Sequence, residues 1–151
     1  MTSVEELRER LYSECGRSIA CRRAADYYIA LVKNPCYPPD ARLTTKALRY
    51  YVEFASRFGR PRCDVKALVE ERLRGTALEK HAREAGEFAE LLKRELNITS
   101  RVAAAVATIV VAERHGAGVA HYAVAARFGA SDAAVRMWLR RALKLYAAGR
   151  A

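Results

Sequence analysis

Residues 121–140 read HYAVAARFGASDAAVRMWLR, and the residue types and spacing in this stretch decide how the fold is read. A small Ala125 stands where a second helix must cross closely, and Gly129 stands where a tight interhelical turn needs a left-handed residue. Val135 and Trp138 then pack back toward Val124 and Phe128. Ser131 has the hydroxyl expected of an N-cap for the second helix. The expectation is a helix-turn-helix.

Outward from this stretch the pattern stays helical. Upstream, VAAAVATIVVA (102–112) is apolar on every side, so a helix starting at Thr99 or Ser100 is expected to be enclosed by its neighbours. Before it, Thr76 and Glu79 have capping-box spacing and open a helix through about Leu96, with Ala82, Ala85, Phe88, Leu92 and Leu96 inside. Asp64 caps a shorter helix that buries Val65, Leu68, Val69 and Leu73. A helix from Thr44 or Thr45 through Phe58 carries Leu48, Tyr51, Val52, Ala55 and Phe58 at helical spacing, which is read as its buried stripe. The three prolines of NPCYPPDARL (34–43) mark a loop. Two further helices precede it, separated at Gly16.

The fold class is therefore all-α, a bundle of about eight helices ending in the helix-turn-helix. Ala, Leu, Arg and Glu dominate, while Gly and Pro number only 8 and 4. Two regions are expected to pack as one compact unit: 1–96, an N-terminal helical region, and 97–151, the core helix plus helix-turn-helix.

Charge points to a partner. Of the formal +10, residues 1–60 carry 11 basic and 7 acidic side chains, 61–96 carry 8 and 8, and 97–151 carry 8 and 2. The excess thus gathers on the segment holding the helix-turn-helix, as expected for a face that meets a polyanion. In such a motif the first turns of the second helix reach base edges in the major groove, here Ser131, Asp132, Ala133, Arg136, Met137 and Arg140. Arg136 is the first candidate for a bidentate guanine contact, with Asp132 orienting it or accepting from a cytosine amino group. Arg127, Arg140, Arg141 and Lys144 are read as phosphate contacts, with His121 and Tyr122 adding backbone contacts at the start of the first helix. Double-stranded DNA is the expected partner. The competing reading is a helical protein-interaction module whose basic helix is incidental.

No enzyme is expected. His81, His115 and His121 are scattered along the chain, no glycine-rich phosphate loop is present, and no mutually supporting catalytic set assembles. Neither a metal nor a cofactor is expected. Cys15, Cys21, Cys36 and Cys63 match no zinc or redox spacing and are read as buried thiols, or as including a pair that bridges the N-terminal helices. The absence of Gln and the presence of only two Asn, at positions 34 and 97, point to a thermophilic prokaryote. The amphipathic N-terminus and the short apolar runs point to a cytoplasmic protein without membrane contact.

The run RVAAAVATIVVAERHG, followed by YAVAARFGAS and DAAVRMWLRRAL, resembles the last three helices of a cyclin-like repeat in archaeal transcription factor B. The resemblance covers about the last third of the chain. It implies a duplex DNA contact beside a promoter by Ser131, Asp132, Arg136 and Arg140, and a transcription-machinery protein as partner. A faint echo at an offset of 57 residues, with Ala55, Arg57 and Gly59 repeated as Ala112, Arg114 and Gly116, allows region 1–96 to be read as a divergent copy.

Overall fold

A computed structural model describes residues 3–149. Among them there are helices and no strands: α1 (Val4–Cys15), α2 (Ile19–Lys33), α3 (Thr45–Phe58), α4 (Val65–Leu73), a 3₁₀ turn (Glu79–His81), α5 (Ala82–Glu95), α6 (Ser100–Arg114), α7 (His121–Arg127) and α8 (Asp132–Gly149). The chain divides into two compact units, Met1–Arg62 and Cys63–Ala151. The division falls well before residue 97, where charge and helix count place it, because α4 and α5 both pack on the core helix α6.

In the N-terminal unit, α2 packs against both α1 and α3. Ser3, Ser18 and Thr44 each accept a hydrogen bond from a first-turn amide of the helix they cap, satisfying donors that have no intrahelical partner. Leu11, Ala24, Ala25, Tyr28, Ile29, Ala47 and Phe54 form the core. The Tyr28 hydroxyl donates to the Gly59 carbonyl at 2.5 Å, and Arg57 clamps α3 to α1 through a bidentate contact with Glu14. Cys15 and Cys21 form a disulfide across the turn between α1 and α2, and no cysteine is free, so the reading of buried thiols is corrected.

The stripe expected on α3 is corrected at two of its positions. Ala47 and Phe54 are its buried residues, whereas Leu48 is 49% and Val52 58% exposed. Tyr51, Ala55 and Phe58 of the expected stripe are partly buried against the N-terminal core, so the correction falls on Leu48 and Val52, which lie on the solvent edge of that face while Ala47 and Phe54 point into the core.

The C-terminal unit is built around α6. Every residue from Val102 to Ala112 is buried, and the one polar side chain among them, Thr108, donates to the Ala104 carbonyl at 2.8 Å. The alanines let neighbouring helices approach closely, while Val106, Ile109, Val110 and Val111 each contribute about 1.5–3 kcal/mol through burial. Helix α4 buries Val65, Leu68, Val69 and Leu73 as its periodicity predicts. It crosses α5 tightly at Gly86, where an added Cβ would lie 2.8 Å from Lys66 Cγ and 3.2 Å from the Lys66 carbonyl oxygen.

Thr76 does not open α5. Its hydroxyl donates to the Leu73 carbonyl and accepts from the Leu78 amide, closing the turn after α4, and the 3₁₀ turn intervenes before Ala82. No helix among the described residues is long and apolar enough to cross a membrane.

Candidate nucleic-acid interface

Helices α7 and α8 are joined by Phe128–Ser131, and the backbone of this turn is fully directed. Gly129 has φ +66°, its amide donates to the Ala126 carbonyl, and the Ala130 amide donates to the Ala125 carbonyl at 2.9 Å. This pairing closes the C-terminus of a helix and requires the left-handed residue that glycine supplies without steric cost. Ser131 then accepts from the Ala134 amide at 3.1 Å and starts α8. Ala125, Phe128 and Val135 are fully enclosed, and Val124 nearly so. Of the apolar positions that the spacing marks for packing, these four are buried and Trp138 is partly so.

Two arginines outside the α7–α8 stretch fix its angle. Arg72, at the end of α4, donates through Nη1 to the Arg127 carbonyl at 3.2 Å, and Arg101, near the start of α6, reaches the Gly129 carbonyl at 3.5 Å. Arg127 Nε donates in return to the Arg72 carbonyl at 2.8 Å. At the other end of α7, Glu113 holds His121 Nε2 at 2.6 Å. Periodicity carries no signal for such tertiary contacts, so Arg72 and Arg101 were not expected. His121 and Arg127, read as DNA contacts, each have a nitrogen committed within the protein.

Helix α8 separates into two faces. Val135, Ala142 and Tyr146 are buried, with Trp138, Leu139 and Leu145 partly so. Ser131, Ala133, Arg136, Met137, Arg140, Arg141 and Lys144 are exposed, and Tyr122 on α7 is 71% exposed. Asp132 is half-buried, and its carboxylate forms an ion pair with Arg136 one helical turn on, 3.4 Å from Nε. Arg141 lies over the Trp138 ring, 5.5 Å from its centroid, which steadies the guanidinium while leaving it accessible. The exposed face of α8 and the end of α7 therefore present Arg127, Arg136, Arg140, Arg141 and Lys144 against the single carboxylate of Asp132.

The far end of α8 is anchored by a cluster that sequence distance concealed. The Tyr146 hydroxyl donates to one oxygen of Glu84, and His115 Nε2 lies 2.8 Å from the other. His115 in turn stacks on His81, with ring centroids 4.9 Å apart and planes 14° from parallel. The two histidines, scattered in the chain, are thus neighbours in space. His81 Nε2 is buried without a hydrogen-bond partner, and burial first, then the adjacent His115 and Lys80, pushes its pKa below the usual imidazole value. Among the described residues no group of three or more His, Cys, Asp or Glu is placed to hold a metal ion.

No protein-family model, curated protein or solved structure matches the chain.

Proposed function

We propose that the chain binds duplex DNA, with α7 and α8 acting as a helix-turn-helix whose second helix enters the major groove, and that it serves as a transcriptional regulator or promoter-associated factor. The observation that carries this reading is the exposed face of α8, where Arg136, Arg140, Arg141 and Lys144 follow a capped first turn of small residues. Small side chains at Ser131 and Ala133 let the helix start approach base edges, and Arg136, braced by Asp132, presents its terminal nitrogens outward to a guanine edge. Arg140, Arg141 and Lys144 suit phosphates along the groove.

On the same reading α6, α7 and α8 correspond to the closing helices of a cyclin-like repeat, and a protein of the transcription machinery is a further partner. The composition without Gln and the Cys15–Cys21 disulfide fit the cytoplasm of a thermophilic archaeon, where intracellular disulfides occur.

Fluorescence anisotropy with labelled duplex DNA at several salt concentrations tests the proposal. The expected result is binding that falls steeply with salt, by about 0.9 in the logarithmic slope for each phosphate neutralised, and that is lost in the Arg136→Ala/Arg140→Ala variant. Absent or salt-independent binding overturns it.

A further inference from the structure

The N-terminal unit holds a half-open groove of about 670 Å³, bordered by α2, the proline-rich loop and α3. Tyr27, Leu31, Leu48 and Tyr51 make its apolar wall, and Arg42 and Arg60 stand at its rim. The apolar surface continues along α3, because exposed Val52 lies one helical turn beyond exposed Leu48. Large aliphatic side chains repeated on a solvent face are the mark of an interaction site more than of a solvated helix.

The rim says what chemistry covers it. Arg42 and Arg60 are exposed, and among the described residues neither has an ion pair or a hydrogen bond. Of the acidic side chains nearby, Asp40 also lines the groove, while Asp26 accepts the Tyr12 hydroxyl. An apolar trough flanked by two guanidiniums that form no ion pair among the described residues, with Asp40 the one carboxylate among its lining residues, complements a segment that carries apolar anchors beside carboxylates.

We infer that this groove is a docking site for an acidic amphipathic peptide segment of a partner protein, with a leucine or aromatic anchor against Leu48 and Tyr51 and carboxylates on Arg42 and Arg60. A single-stranded nucleic acid fits less well. Tyr27 and Tyr51 meet edge to face, with ring centroids 5.4 Å apart and planes at 89°, so they offer no pair of open parallel faces for successive bases. A second copy of the chain fits less well too, since a two-fold contact would bring the same rim arginines together.

The proposal does not depend on DNA binding by α8. It is tested by selecting a random peptide library against the full chain and measuring synthetic copies of the enriched peptides by anisotropy. The expected result is enrichment of peptides that combine Asp or Glu with Leu or Phe. Their affinity should fall about tenfold in Leu48→Ser and again in Arg42→Glu/Arg60→Glu, while Arg136→Ala/Arg140→Ala binds them as the parent chain does. These groove positions are exposed, and an unchanged far-ultraviolet circular dichroism spectrum verifies that the variants fold. No enrichment, enrichment of basic peptides, or binding indifferent to Leu48→Ser overturns the inference. So does a single-stranded oligonucleotide that binds more tightly than every peptide and is lost in the same variants, or a dimer in sedimentation that Leu48→Ser dissolves.

Discussion

Arg72 and Arg127 exchange hydrogen bonds, each guanidinium donating to the other residue's backbone carbonyl, at 3.2 and 2.8 Å. The pair joins the last turns of α4 and α7 through carbonyls that helix geometry leaves without intrahelical donors. Arg72→Met keeps the aliphatic stem and removes the donor. The expected loss is about 1 kcal/mol of unfolding free energy, measured by urea denaturation. Duplex affinity should also fall without a change in salt slope, because Arg72 positions the helix pair and neutralises no phosphate.

Asp132 pairs with Arg136 and is the one acidic residue of α8. In Asp132→Asn the guanidinium loses its orienting charge and the face gains net positive charge. Binding to unrelated duplex should tighten at low salt, while discrimination between a preferred site and that duplex shrinks by about 1–3 kcal/mol. Competition anisotropy with both duplexes measures the two effects together.

Gly129 and Gly86 are required for different reasons, and alanine at each separates them. Gly129 has φ +66°, so Gly129→Ala places a Cβ in the left-handed region and should cost about 1–2 kcal/mol. Gly86 has ordinary helical geometry and would gain helix propensity from alanine, but the new Cβ meets Lys66, including its backbone. Overpacking of about 1–3 kcal/mol outweighs the roughly 1 kcal/mol propensity gain. Denaturant midpoints should fall in both variants.

His81 makes the C-terminal unit sensitive to acid. Its imidazole resists protonation in the folded chain, chiefly through burial, so the unfolded chain binds the proton more readily. Stability is therefore unaffected well above pH 6.5 and declines as pH falls below that ordinary value toward the depressed folded one. Glu84 opposes the shift, and His115 and Lys80 reinforce it. Denaturation at a series of pH values should show the decline in the parent chain and a flatter profile in His81→Phe.

The disulfide closes a short loop, with a sequence separation of 6 between Cys15 and Cys21. Constraint of so short a loop is worth about 2 kcal/mol, and the Cys15→Ala/Cys21→Ala variant should lose roughly that much on urea unfolding of the N-terminal unit.

Local chemistry was legible in the sequence, and long-range pairing was not. Ser131, Thr99 and Asp64 cap the helices their positions imply, Gly129 turns the chain, and Val102–Ala112 is enclosed, because each of these follows from a residue and its near neighbours. The stripe of α3 was legible at Tyr51, Ala55 and Phe58, which pack on the core, and misled at Leu48 and Val52, because periodicity places an apolar face only to within one position and cannot say where its solvent edge falls. The exposed cations of α8 followed from the same helix that buries Val135 and Ala142. The arginines bracing it from α4 and α6 lie far away in the chain, and so does the contact of His81 with His115.

Helix α6 has no solvent side, and this governs motion in the C-terminal unit. Its backbone amides have no route to water through local fraying between Val102 and Ala112, so their hydrogen exchange should proceed only when the surrounding helices part together. Helix α8, whose outer face carries the cations, packs on that same enclosed helix. A ligand that binds the face tightly would therefore slow exchange deep inside α6, at amides it never touches.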